Sequence, residues 1–287
     1  MLMVQEKKIV FYFSGTGNSF KLAEDIAGLI GAKTLNIAPL LETKSVMLKS
    51  ETIGFVFPVY DFKAPEVMNQ FVSQLKGIES SYLFAICNYG IAPSKTLNKF
   101  QKELQKVDGT LDLGVSFQMP HNGIGSGNFS VKRHQQMLVN WEQAKSKIAN
   151  KINEHKKDGI EKSKPLEAMK VFLFQGVLFK SIPTFTKLLT KVAFHGWDAL
   201  AYTANENCNG CGICEKICPV HNIHMENGNP IWGDHCANCF ACLQWCPKQA
   251  ITLGNTNLNI LRYHHPDVVL EDLLKRNKPL NDNEAHE

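Results

Sequence analysis

At 287 residues the chain has room for two domains. Its 44% hydrophobic and 20% charged content is that of an ordinary globular protein and excludes a disordered or low-complexity chain. The net charge of +4 is small.

Residues 7–14, Lys-Lys-Ile-Val-Phe-Tyr-Phe-Ser, form a short apolar run rich in β-formers, the pattern of a buried parallel strand. The residues Ser14-Gly15-Thr16-Gly17-Asn18-Ser19 follow. Beyond them Phe20, Ala23, Ile26, Ala27 and Ile30 recur at helical spacing. Strand, glycine/hydroxyl loop and helix is the context in which backbone N–H groups and a helix N-terminus hold a phosphate. A Walker A loop would need Gly-Lys-[Ser/Thr], and this loop has no lysine. The dinucleotide fingerprint would need a third glycine where Phe20 stands. What remains, [Ser/Thr]-x-Thr-Gly-x-[Ser/Thr], resembles the FMN phosphate loop of flavodoxins.

Strands are expected next at 34–38, 52–57, 82–87 and 111–119, with helices at about 65–75, 94–107 and 131–155. This alternation predicts an α/β fold with a doubly wound parallel five-stranded sheet and ligands at the strand C-termini. Over residues 5–155 the pattern resembles flavodoxin. The resemblance implies a flavin ring between the loops after the third and fourth strands. Those loops hold Pro58 and Tyr60, and Asn88, Tyr89 and Gly90, with Tyr60 and Tyr89 as the stacking candidates. The loop Met119 to Gly123 follows the fifth strand, and its His121 is read as a surface residue rather than a flavin contact. Cys87 is read as a small buried hydrophobe.

Residues 145–164 carry seven lysines and suggest a solvated helix end and linker. The segment Leu166 to Trp197 is apolar but interrupted by Lys170, Lys180, Pro183 and Lys187, and its longest apolar run is too short to span a bilayer. Packing between domains is the favoured reading of this segment. A basic amphipathic helix on an anionic membrane surface is the alternative.

The densest chemistry follows. Cys208-x2-Cys211-x2-Cys214-x3-Cys218-Pro219 is repeated as Cys236-x2-Cys239-x2-Cys242-x3-Cys246-Pro247. Both halves resemble the run of bacterial two-[4Fe-4S] ferredoxins, in which the fourth cysteine serves the other cluster. On that basis Cys208, Cys211, Cys214 and Cys246 are assigned to one [4Fe-4S] cluster, and Cys218, Cys236, Cys239 and Cys242 to a second. Zinc knuckles use four ligands, and two triplets with two Cys-Pro units suit them poorly. A disulfide framework would need a secreted chain, and Met1 to Val10 contains no apolar export segment. Ile223 and Ile251 stand five residues beyond the two Cys-Pro cysteines and are expected to cover the clusters. Each cube with four thiolates carries about −2 when oxidised. Two cubes nearly cancel the excess charge, so the pI of about 8.5 does not argue for nucleic acid.

The domains expected are a flavodoxin-like FMN-binding unit (1–158), a helical connection (159–202), a small α+β two-[4Fe-4S] ferredoxin unit (203–254) and a C-terminal extension (255–287) with a frayed end. In that extension His264 and His265 are read as surface residues packed onto a neighbouring domain. As a whole the chain resembles the flavodoxin–ferredoxin fusions, flavo-iron–sulfur proteins of anaerobes. The resemblance implies a protein that moves electrons between FMN, two [4Fe-4S] clusters and a redox partner protein, and the use of eight of the nine cysteines as metal thiolates suggests a reducing compartment, the cytoplasm. The alternatives are an NAD(P)H- or ferredoxin-dependent flavin oxidoreductase acting on a small molecule, and an assembly module with a degenerate flavin site.

Overall fold

The structure, a computed structural model, describes residues 1–122, 131–161, 202–253 and 262–277. Its main sheet is built from β1 (Lys8–Tyr12), β2 (Lys33–Asn36), β3 (Thr52–Pro58), β4 (Tyr82–Tyr89), β5 (Leu111–Gln118) and β6 (Gly159–Ile160). The order across the sheet is β2-β1-β3-β4-β5-β6, and every pairing is parallel. From β1 the chain steps outward to β2 and then returns to β3 on the other side. That reversal opens a crevice at the strand C-termini and is the flavodoxin-like order. The five expected strands are all present. The sixth has only two residues, so the sheet runs past the expected boundary into the lysine-rich stretch. Leu2–Val4, Val46–Leu48 and Leu75–Lys76 add a small parallel sheet that was not anticipated.

Four helices cover the sheet: α1 (Asn18–Ile30), α2 (Glu66–Ser73), α3 (Thr96–Gln105) and α4 (Val131–Asn153). Side chains alternate between the faces of a strand, and here the rings do so visibly. Phe11 meets Phe71 of α2 with centroids 4.8 Å apart, and Phe57 meets Phe100 of α3 at 4.6 Å. On the opposite face Tyr12 meets Phe20 of α1 at 5.4 Å, and Phe117 meets Trp141 of α4 at 5.1 Å. Each buried ring contributes about 1.5–3 kcal/mol. Between the central strands Gly54 lies beside Phe84, where a Cβ would stand 2.2 Å from the ring.

The second part is smaller. Its strands β7 (Tyr202–Ala204) and β10 (Ile251–Leu253) pair antiparallel, as do β8 (Ile223–Glu226) and β9 (Asn229–Trp232). Asn227 and Gly228 close the latter hairpin with φ of 49° and 78°, the Asn-Gly turn that matches strand twist. Short helices α5 (Ile213–Ile217) and α6 (Ala241–Gln244) each follow two cysteines of a repeat. The C-terminal α7 (Leu270–Arg276) returns to the first part, with the Arg276 guanidinium 4.9 Å from the Phe20 ring centre. The segment Leu166 to Trp197 lies outside the described residues. Among the described residues no helix is long and apolar enough to cross a membrane.

Candidate redox site

The loop 14–19 occupies the turn from β1 into α1, at the sheet's switch point. Gly17 stands at the helix entrance with φ 94°, a conformation that costs any residue with a Cβ. Its N–H donates to the Ser14 hydroxyl at 3.1 Å. Among the described residues the N–H groups of Gly15, Thr16, Asn18 and Ser19 have no protein acceptor. Four free amides at a helix N-terminus fit an anionic phosphate. The Thr16 hydroxyl accepts from the Asn122 side-chain amide at 3.0 Å, and Asn18 donates to the Pro120 carbonyl at 2.9 Å. The loop after β5 is thereby tied to the phosphate loop.

A cavity of about 210 Å³ opens in front of this loop. Ser14, Gly15, Thr16, Asn18, Ser19, Pro58, Tyr60, Asn88, Tyr89 and Gly90 all line it, so the structure brings together ten of the eleven expected flavin residues. Gly17 stands behind, shaping the turn. Asn88 fixes the floor, donating to the Ser19 hydroxyl at 2.5 Å and to the Phe57 carbonyl at 3.3 Å. His121, read from sequence as a surface residue, also lines the cavity, and its ring lies where Gly90 lacks a Cβ. Tyr60 and Lys63 exchange backbone hydrogen bonds of 3.0 and 2.9 Å around Asp61 and Phe62. Those two non-glycine residues have φ of 47° and 60°, strain of the kind that accumulates at functional loops.

Two further residues wall the cavity, Asn238 and Phe240, and both come from the second cysteine repeat. The Cys239 carbonyl sits so close to the phosphate loop that a Cβ on Gly15 would lie 2.3 Å from it. Only glycine leaves room for that approach.

The two repeats adopt the same backbone path. Positive φ occurs at Gly210 and Asn238, at Gly212 and Phe240, and at His221 and Gln249, three pairs at matching repeat positions. Sulfurs accept at matching places too: Cys218 from the Asn222 N–H at 3.3 Å and Cys246 from the Ala250 N–H at 3.4 Å. Cys208, Cys211, Cys214 and Cys246 line one small cavity with Ile251. Cys218 lies within electrostatic reach of Cys239 and Cys242. The cavity thus brings Cys246 to the first three thiols of the other repeat, and Cys218 stands near those of the second. Among the described residues no three His, Cys, Asp or Glu converge as the ligands of a single ion would. Burial pushes the Cys214 thiol up to about 11 and the Cys242 thiol up to about 12, so iron would have to displace protons there.

Several residues that join the two parts are not signalled by any motif. The Trp245 indole donates to the Gly15 carbonyl at 3.0 Å, and Gln244 donates to the Asn122 carbonyl at 2.7 Å. Arg262, half-buried, donates to the carbonyls of Leu243, Gln249 and Ile251, which puts a fixed positive charge beside Cys246 and Cys242. The Tyr263 hydroxyl donates to the Asn18 side chain at 2.7 Å, and the His265 N–H to the Thr16 carbonyl at 2.9 Å. His264 stacks on Trp245 with centroids 4.1 Å apart. His265, read as a surface residue packed onto a neighbouring domain, does pack beside Gly17 and is buried there, and burial pulls its imidazole down to about 4.

Comparison with known proteins finds a family match in the second part. Residues 207–251 match the family profile described as a 4Fe-4S dicluster domain. Pyruvate synthase subunit PorD of Methanocaldococcus jannaschii is 44% identical over 50 residues, 17% of this chain and 58% of that protein. Polyferredoxin protein MvhB of Methanothermus fervidus is 29% identical over 73 residues, 25% of this chain and 15% of that protein. The chain thus spans little more than half of one relative and a small part of the other. Among solved structures a flavodoxin from the domain Archaea is 16% identical, covering 52% of this chain and 99% of that one with a TM-score of 0.31. The azoreductase of Bacillus anthracis is 10% identical, covering 50% and 99% with a TM-score of 0.34. The chain carries an iron–sulfur ferredoxin-type domain behind a flavodoxin-like sheet.

Proposed function

We propose that the protein passes electrons between FMN and two [4Fe-4S] clusters, and onward to a redox partner protein. One observation carries this reading: Asn238, Cys239 and Phe240 of the second cysteine repeat form a wall of the cavity that the phosphate loop opens into. FMN exchanges one or two electrons and each cube exchanges one, so together they connect two-electron and one-electron partners.

The chain's own residues bind, orient and insulate. The amides of residues 15, 16, 18 and 19 hold the phosphate, and Asn88 and Tyr89 border the ring. Cys218, Cys236, Cys239 and Cys242 hold the cube nearer the flavin. Cys208, Cys211, Cys214 and Cys246 hold the other, whose Cys211 is exposed and gives the partner its point of approach. Trp245 and Tyr263 tie the phosphate loop to the part that would hold the clusters.

Anaerobic purification tests the reading. About eight irons and eight sulfides per chain are expected, with one FMN that riboflavin replaces only weakly because it lacks the phosphate. Zinc without labile sulfide, or equal affinity for riboflavin, would overturn it. Anaerobic NAD(P)H should leave the flavin oxidised. Bleaching would favour a flavin reductase instead.

A further inference from the structure

Tyr60 does more than border the flavin cavity. Its ring meets Phe13 edge-on with centroids 6.5 Å apart, and its hydroxyl is buried with no hydrogen-bond partner among the described residues. A buried hydroxyl without an acceptor costs about 1–3 kcal/mol, so a missing acceptor is the economical explanation. The hydroxyl lies within electrostatic reach of Cys239 and Cys236, and Tyr60 lines the same cavity as Asn238 and Phe240, the residues on either side of Cys239. Across the same cysteines, the Trp232 indole N–H is also buried and without a partner among the described residues. It faces the Cys242 sulfur. The Trp232 ring is held by stacking on Tyr202 at 5.8 Å. Thus the two parts of the chain each aim one orphaned donor at the second cysteine set.

We propose that Tyr60 and Trp232 donate hydrogen bonds to the sulfurs of the cube held by Cys218, Cys236, Cys239 and Cys242, setting its reduction potential. This rests on the electron-transfer reading above and deepens it. Hydrogen bonds to cluster sulfurs stabilise the added negative charge of the reduced form and raise the potential. Tyr60 comes from the flavodoxin-like part, so docking of the two parts itself adjusts the potential of the cube. An electron leaving the flavin then meets the easier acceptor first.

The test is an anaerobic redox titration of cluster-loaded protein, following the two iron–sulfur couples by their spectra. Cys211→Ser labels the couple of the other cube by shifting it. Tyr60→Phe and Trp232→Phe keep the rings and remove the donors. Each should move the unlabelled couple to more negative potential by about ten-fold in its equilibrium constant, which is about 59 mV for one electron. The labelled couple should stay in place. Unmoved couples in both variants, with iron and sulfide contents as in the wild type, would overturn the assignment while leaving the electron-transfer reading intact. Absence of labile sulfide from the wild type would overturn both.

Discussion

The two cysteine repeats share one spacing and one backbone path, yet they differ in what stands on that path. In the first repeat the positive-φ positions before and after the second cysteine are Gly210 and Gly212. In the second they are Asn238 and Phe240, with φ of 53° and 57°. A left-handed conformation costs a residue with a Cβ about 1–2 kcal/mol, so the second repeat accepts strain that the first avoids. The difference follows from location. The second cysteine of the first repeat, Cys211, is exposed, whereas its counterpart Cys239 is buried. Asn238 and Phe240 are side chains facing the flavin cavity, where glycine would leave no wall. Cluster ligation sets the common path, and contact with the flavodoxin-like part sets the residues placed on it.

Four changes would break or sharpen this contrast, from the largest effect downward. Cys239→Ala and Cys211→Ala should each remove about half of the iron, because each deletes a ligand of one cube. Only Cys239→Ala should also weaken the junction of the two parts, read as a lower melting temperature than that of Cys211→Ala. Equal melting temperatures in both variants would erase the distinction between the repeats.

Acid should act on the junction next. His265 is buried and neutral, with its imidazole at about 4 against 6.5 for the free group. Below 6.5 the unfolded chain takes up a proton that the folded chain refuses, so stability falls as pH drops and the loss is complete near pH 4. The gap corresponds to about 3 kcal/mol. His265→Gln should flatten the melting temperature of the chain between pH 6.5 and 4, and a profile as steep as the wild type's would refute the role.

Gly15→Ala should destabilise by about 2 kcal/mol, since its Cβ would press on the Cys239 carbonyl. Gly28→Ala is the control. That exposed position of α1 has nothing within 4 Å of a Cβ and should gain about 0.5–1 kcal/mol. Chemical denaturation of both variants decides between them. Smallest is Asn238→Gly, which should relieve the left-handed strain and raise stability by about 0.5 kcal/mol. The matching exchange at Gly210, to Asn, should lower it by a similar amount.

Much of this arrangement could be read in the sequence, because the chemistry is local. Three thiols on one tight loop, or four amides at one helix entrance, are specified within about a dozen residues. The β-formers of residues 8–12 and 52–58 announce buried parallel strands just as directly. What escaped notice depends on residues far apart in the chain. Trp245 occupies the spacer between Cys242 and Cys246, and nothing nearby says that its indole meets Gly15. Arg262 and Tyr263 belong to no motif, although their side chains reach Leu243, Gln249, Ile251 and Asn18. The strand Gly159–Ile160 is two residues long and hidden among lysines, and it exists only because β5 offers it an edge. His121 looked like a loop surface residue because the glycine that admits its ring, Gly90, is 31 positions earlier.

The central claim is that the flavin exchanges electrons with the cube of the buried set, Cys218, Cys236, Cys239 and Cys242, before the other. Laser-flash reduction of the flavin in the loaded protein, with flavin and iron–sulfur bands followed in time, measures this transfer directly. The account predicts a decay of reduced flavin whose rate is independent of protein concentration, is retained in Cys211→Ala and is lost in Cys239→Ala. A rate that rises with protein concentration, or one that survives in Cys239→Ala, would contradict it.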